Sequence, residues 1–150
     1  MDFGAVGERG LVLLGCGKMG SAMLEGWLKG ALPADRIWVI EPNPSAWLRA
    51  TGVHLNAPLP GAPAVVLVAV KPQMMGDALP TIAAMGNGTT LVLSIAAGTT
   101  IATFESVFGA QTPIVRAMPN TPAAIGRGIT AITGNRPTHA VQRVQGAIFR

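Results

Sequence analysis

The sequence predicts an α/β fold: an open, doubly wound, mostly parallel sheet with helices on both faces. Three observations carry that prediction. Short aliphatic runs recur along the chain, and the clearest, Ala64–Val70 (AVVLVAV), shows no polar alternation, as expected of a strand buried on both faces. Between the runs lie segments with helical spacing of apolar residues. The gaps between successive runs are too long for hairpins and suit strand–helix–strand crossovers.

The elements follow in order. Residues 1–10, MDFGAVGERG, read as a flexible leader. Residues 11–15 form a buried strand. Over 18–30, Met19, Ala22, Met23, Gly26 and Trp27 make a helical stripe. Leu32–Asp35 turn the chain, and Ile37–Ile40 form a second strand, closed by Glu41-Pro42-Asn43-Pro44. A short helix at 44–51 stops at Gly52. Val53–Asn56 is a minor strand, and residues 57–63 (APLPGAP) are irregular. After the strand at 64–70, Pro72 interrupts the chain and 73–85 reads as a helix. A strand at 89–95, a helix at 100–107 and a strand at 113–117 come next. Pro119 and Pro122 forbid regular structure where they stand. Gly128–Thr133 reads as a last strand and 137–149 as a helix with Val141, Val144, Ala147 and Ile148 on one face. The chain therefore ends on a helix where a further strand is expected, which points to a truncated protein: one domain over 11–150.

Composition narrows the function classes. The chain has 150 residues, 49% hydrophobic and 12% charged, which is too apolar and too weakly charged for a disordered segment. No apolar run reaches the length of a membrane span, and the start lacks the basic-then-apolar order of a signal peptide. The one cysteine excludes an internal disulfide and suits a reducing compartment, so the chain reads as cytoplasmic. Net charge is +4 and the pI near 10.2, but the basic residues are scattered, tyrosine is absent, and no basic–aromatic stripe exists. Nucleic acid is thereby disfavoured as a partner, and so is a membrane. His54 and His139 are isolated and lack metal-ligand spacing, so no metal site is expected.

One short stretch carries the chemistry. Gly15-Cys16-Gly17-Lys18-Met19-Gly20 matches G-x-G-x-x-G between a strand and a helix, the fingerprint of a Rossmann-like dinucleotide site. Gly15 permits the tight turn, Gly17 lets a pyrophosphate reach the backbone, and Gly20 lets the helix pack on the strand. The amides at the helix start then face the anion. Lys18 is either an added charge beside the phosphates or a solvated lysine. Cys16 is a spacer rather than a nucleophile, because no histidine lies near it in sequence. Glu41 ends the second strand about twenty residues after Gly20, the place of a ribose-binding carboxylate. Such a carboxylate favours NADH, since it repels the 2′-phosphate of NADPH, while the flanking Pro42 and Pro44 leave open an outward-pointing Glu41. Asn43 is a second candidate there. The alternative is a glycine-rich turn with no ligand.

GCGKMG (15–20), AVKP (69–72), SIAAG (94–98) and RAMPNTP (116–122), in this order and spacing, closely resemble pyrroline-5-carboxylate reductase over about residues 11–149. RAMPNTP is the most specific of the four. The resemblance implies hydride transfer from NADPH or NADH to the C=N bond of 1-pyrroline-5-carboxylate, giving L-proline. It implies that Val70, Lys71 and Pro72, together with Ala96, Ala97 and Asn120, border the nicotinamide half of the cofactor. Asn56 sits where a contact to the adenosine half lies. Lys18 and Glu41 depart from many relatives, and Glu41 puts an NADPH preference in question. The family carries a second, all-helical domain that supplies most of the substrate pocket and the dimer interface, so a homo-oligomer is expected of the full-length protein. Nothing in 1–150 corresponds to that domain. The chain is therefore expected to be the cofactor-binding half, with little or no turnover alone and no catalytic residue assigned within it. The alternatives are another NAD(P)-dependent dehydrogenase of the β-hydroxyacid or 6-phosphogluconate type, and a non-catalytic dinucleotide-binding module.

Overall fold

Aliphatic four-residue runs make the sheet. The computed structural model of the chain describes residues 5–30, 32–86, 89–96, 98–117 and 131–134. Its strands are β1 (Leu11–Leu14), β2 (Ile37–Ile40), β3 (His54–Leu55), β4 (Val65–Val68), β5 (Leu91–Ser94), β6 (Ile114–Ala117) and β7 (Ala131–Gly134). They lie in the order β3-β2-β1-β4-β5-β6-β7. The first six are parallel, and β7 runs antiparallel beside β6. The mostly parallel sheet expected from the sequence thus carries one antiparallel strand at its edge. An antiparallel neighbour needs no crossover, and Pro119 and Pro122 stand in the β6–β7 connection.

The pleat sorts each strand into two cores. Leu11, Leu13, Val65, Leu67, Leu91, Leu93 and Val115 face one layer, with Met23, Leu24 and Trp27 of α2 (Lys18–Lys29) and Leu48 of α3 (Ala46–Ala50). Val12, Leu14, Val66, Val68, Val92 and Ile114 face the other, with Met75 of α4 (Met75–Ala78) and Phe104 and Phe108 of α5 (Ile101–Phe108). β1, β4 and β5 are buried at every position, which is why β1 and β4 read as unbroken apolar runs and β5 departs from one only at Ser94.

Two local expectations change. Ala5–Arg9 of the supposed leader is a helical turn, α1. Its Arg9 guanidinium donates to the carbonyls of Ala62, Pro63 and Thr89 at 2.9–3.2 Å, tying the segment to the amino ends of β4 and β5. The expected helix at 73–85 is a single α-turn, α4, between 3-10 turns at Pro72–Met74 and Leu79–Met85. Pro80 lacks the amide that an α-helix there would use. The helix expected at 137–149 lies outside the described residues.

Candidate functional site

The sheet order reverses between β1 and β4: β2 and β3 lie to one side, β5 to β7 to the other. Crevices form at such a reversal, outside the carboxyl ends of the strands. A groove of about 560 Å³ opens there. Its walls are the turn after β1 (Gly15, Cys16, Gly17), the corner after β2 (Glu41, Pro42, Asn43), the end of β4 (Ala69, Val70, Lys71) and one face of the next turns (Met74, Asp77, Ala78, Thr81).

The three glycines answer to three different constraints. Gly15 has φ +89°, and a Cβ there would lie 2.7 Å from Val70 Cγ1 and 3.1 Å from the Ala69 carbonyl. A Cβ on Gly20 would lie 2.7 Å from the Gly15 carbonyl oxygen, so Gly20 is what lets α2 sit on the β1 turn. A Cβ on Gly17 would meet nothing within 4 Å. Gly17 is also the residue before the first turn of α2, and it gives that amino end no side-chain cap. Donors and open space therefore coincide, as an anion cradle requires.

The β2 corner is closely tied together. Glu41 Oε1 accepts from the Cys16 amide at 2.9 Å, and Oε2 accepts from the Asn43 amide at 3.0 Å. The Asn56 side chain brackets the Glu41 backbone: its Oδ1 accepts from the Glu41 amide and its Nδ2 donates to the Glu41 carbonyl, both at 2.9 Å. Asn56 holds φ +51°, a conformation asparagine tolerates better than most residues. The Cys16 thiol is buried. Burial pushes its pKa up, the hydrogen bond with Ser21 works the other way, and the Glu41 charge pushes it up further.

Of the residues singled out in the sequence, the groove gathers Gly15, Cys16, Gly17, Glu41, Asn43, Val70 and Lys71. Glu41 turns inward, against the outward alternative. Asn56 is a brace behind Glu41 and does not line the groove. Lys18, Met19 and Gly20 belong to α2 and lie outside the groove lining, with Lys18 exposed. Pro72 starts a 3-10 turn and faces solvent. Ala96 is buried past β5, its amide donating to Ser94 Oγ at 3.2 Å. Ala97, Asn120 and His139 lie outside the described residues. His54 stacks on Trp38 with ring centroids 4.5 Å apart. The wall of Met74, Asp77, Ala78 and Thr81 escaped the sequence reading. Its signal was the i, i+3, i+4 spacing of those residues directly after a buried strand.

A second, more open cavity of about 420 Å³ lies on the outer side of α2 and α3, lined by Glu25, Leu28, Lys29, Trp47, Ala50 and Thr51. It gathers no residue of the glycine turn. Among the described residues no helix is long and apolar enough to cross a membrane.

The chain is similar to known proteins over most of its length. The chain is 34% identical over 138 residues to the pyrroline-5-carboxylate reductase of Escherichia coli K12, covering 85% of this chain and 50% of the relative. It is likewise 34% identical over 140 residues to the pyrroline-5-carboxylate reductase of Mycobacterium tuberculosis H37Rv, covering 84% and 46%. A solved pyrroline-5-carboxylate reductase from Coxiella burnetii superposes with TM-score 0.77 at 25% identity, over 95% of this chain and 56% of that one. The chain spans about half the length of the curated relatives it matches. Residues 10–98, more than half of the chain, match the family described as NADP oxidoreductase coenzyme F420-dependent, and the chain belongs to that family.

Proposed function

We propose that this chain is the dinucleotide-binding half of a pyrroline-5-carboxylate reductase, taking NADPH or NADH. The observation that carries the proposal is the groove at the strand-order reversal, where Gly17 leaves open space beside uncapped helix amides. In this reading a dinucleotide lies along the groove. The turn at Gly15–Gly17 takes the pyrophosphate, the Glu41–Asn43 corner takes the adenosine ribose, and Val70 and Lys71 border the path toward the nicotinamide. When bound, the nicotinamide supplies a hydride, here for the C=N carbon of 1-pyrroline-5-carboxylate, to give L-proline.

What the chain itself does is bind and orient. Helix amides neutralise phosphate charge without bringing a bulky side chain. The Lys71 ammonium adds a mobile positive charge at the groove edge. Leu14, Ile40 and Val70 give the groove an apolar floor that limits water. Substrate binding, a homo-oligomeric assembly and the remaining pocket belong, in this reading, to a helical domain beyond the chain, and the enzyme is cytoplasmic.

Calorimetric titration with NADPH and with NADH tests the reading, paired with a proline-forming assay of the same protein. Binding of at least one dinucleotide with little or no turnover is expected. Binding of neither removes the dinucleotide reading, and full turnover by residues 1–150 removes the reading of the chain as a half.

A further inference from the structure

We infer that the Glu41 corner makes this chain select NADH over NADPH, with Asn56 as the residue that positions Glu41. The inference rests on the dinucleotide reading and goes beyond it, because the family to which the chain belongs is described by NADP.

A glutamate at the end of β2 could swing aside to admit a 2′-phosphate. This one is held at both ends. Its carboxylate oxygens accept from two backbone amides, Cys16 at 2.9 Å and Asn43 at 3.0 Å. Its main chain is gripped on both sides by the Asn56 carboxamide, each bond 2.9 Å. Moving the carboxylate away leaves two amide donors in the groove without an acceptor. Keeping it in place sets a negative charge where a 2′-phosphate would lie. A carboxylate offers about four acceptor positions. Two are taken by the amides, and the remainder suit donation from the paired hydroxyls of an unphosphorylated ribose.

The surroundings point the same way. Recognition of a 2′-phosphate calls for an arginine near the ribose. Among the described residues that line the groove Lys71 is the only cation, and it stands after β4, while the β2 corner itself offers Pro42 and Asn43. Cys16 belongs to the glycine turn, so the Glu41–Cys16 hydrogen bond also couples the ribose corner to the phosphate cradle. Ribose selection and phosphate placement are therefore parts of one hydrogen-bonded unit.

The test is a set of calorimetric titrations with NADH and NADPH on the wild-type chain, Glu41→Gln and Asn56→Gly. Glycine accepts a positive φ without strain, so Asn56→Gly removes the brace and spares the backbone. Wild type is expected to bind NADH at least about tenfold more tightly than NADPH, the scale of one hydrogen bond to a charged group. Glu41→Gln should reverse or abolish that ratio by weakening NADH and strengthening NADPH. Asn56→Gly, titrated well below its melting temperature, should narrow the ratio, whereas equal loss for both dinucleotides would reduce Asn56 to a structural role and overturn its assignment. Wild-type binding of NADPH as tight as or tighter than NADH overturns the selectivity while leaving the dinucleotide reading in place. Binding of neither overturns both. The wild-type ratio decides the matter even where a variant does not fold.

Discussion

The two sides of the groove are built on opposite plans. At the β2 corner every carboxylate oxygen of Glu41 already has a partner, and Asn56 fixes the main chain behind it. At the glycine turn Gly17 faces empty space and the amino end of α2 has no side-chain cap. One side is preorganised by bonds already made, and the other by donors left unmade. Preorganised hydrogen bonds select among ligands, because a mismatched ligand covers a donor or acceptor without pairing it. Uncapped amides supply affinity for any anion of the right shape. On the proposed reading selectivity and affinity fall to different loops, joined by the amide of Cys16.

Substitutions in the glycine turn probe the open side most severely. Gly15→Ala is expected to cost about 2–4 kcal/mol of stability, combining a left-handed backbone with overpacking against Val70 and Ala69. Chemical denaturation measures it. Gly20→Ala should cost about 1–2 kcal/mol, because alanine's helix preference only partly offsets the contact with the Gly15 carbonyl. Gly17→Ala should change stability by less than about 0.5 kcal/mol, since its Cβ meets nothing, yet weaken dinucleotide binding by roughly tenfold or more. Stability and affinity should therefore separate at Gly17, unlike at its two neighbours.

A pH series sharpens the coupling through Cys16. Its thiol is held above its ordinary pKa by burial first and by the Glu41 charge in addition, against the Ser21 hydrogen bond. The folded state thus keeps the proton that the unfolded state releases. The associated stability is fully present below the ordinary thiol pKa and is lost as pH rises through the raised folded value. Melting temperatures between neutral pH and about pH 10 should fall more in wild type than in Cys16→Ala. An equal fall would remove the thiol from the account. Outside the groove lining, Thr100 caps α5 by accepting from the Thr103 amide at 3.2 Å, so Thr100→Ala should cost about 1 kcal/mol by chemical denaturation.

The parts of this structure that sequence reveals are those where one residue type has one physical use. β1, β4 and β5 are buried on both faces, so their aliphatic runs have no other place to go. Gly15 and Gly20 occupy positions that no side chain fits. What stayed hidden depends on partners distant in sequence. Asn56 reads as a cofactor contact, and only its two bonds to Glu41 make it a brace. Arg9 looks like part of a loose leader until the carbonyls of Ala62, Pro63 and Thr89 are brought to it. The groove wall from Met74 to Thr81 was masked by its own opposite face, where Met75, Leu79 and Ile82 give the apolar signal of a core helix.

Amide-resolved NMR of the chain during a dinucleotide titration is the most direct test of where the ligand goes. The account predicts shifts at Gly15–Gly20, at Glu41–Asn43 and at Val70–Lys71, with none around Trp47 and Thr51 in the outer cavity. Shifts confined to the Trp47 cavity, or absent from the glycine turn, would contradict it.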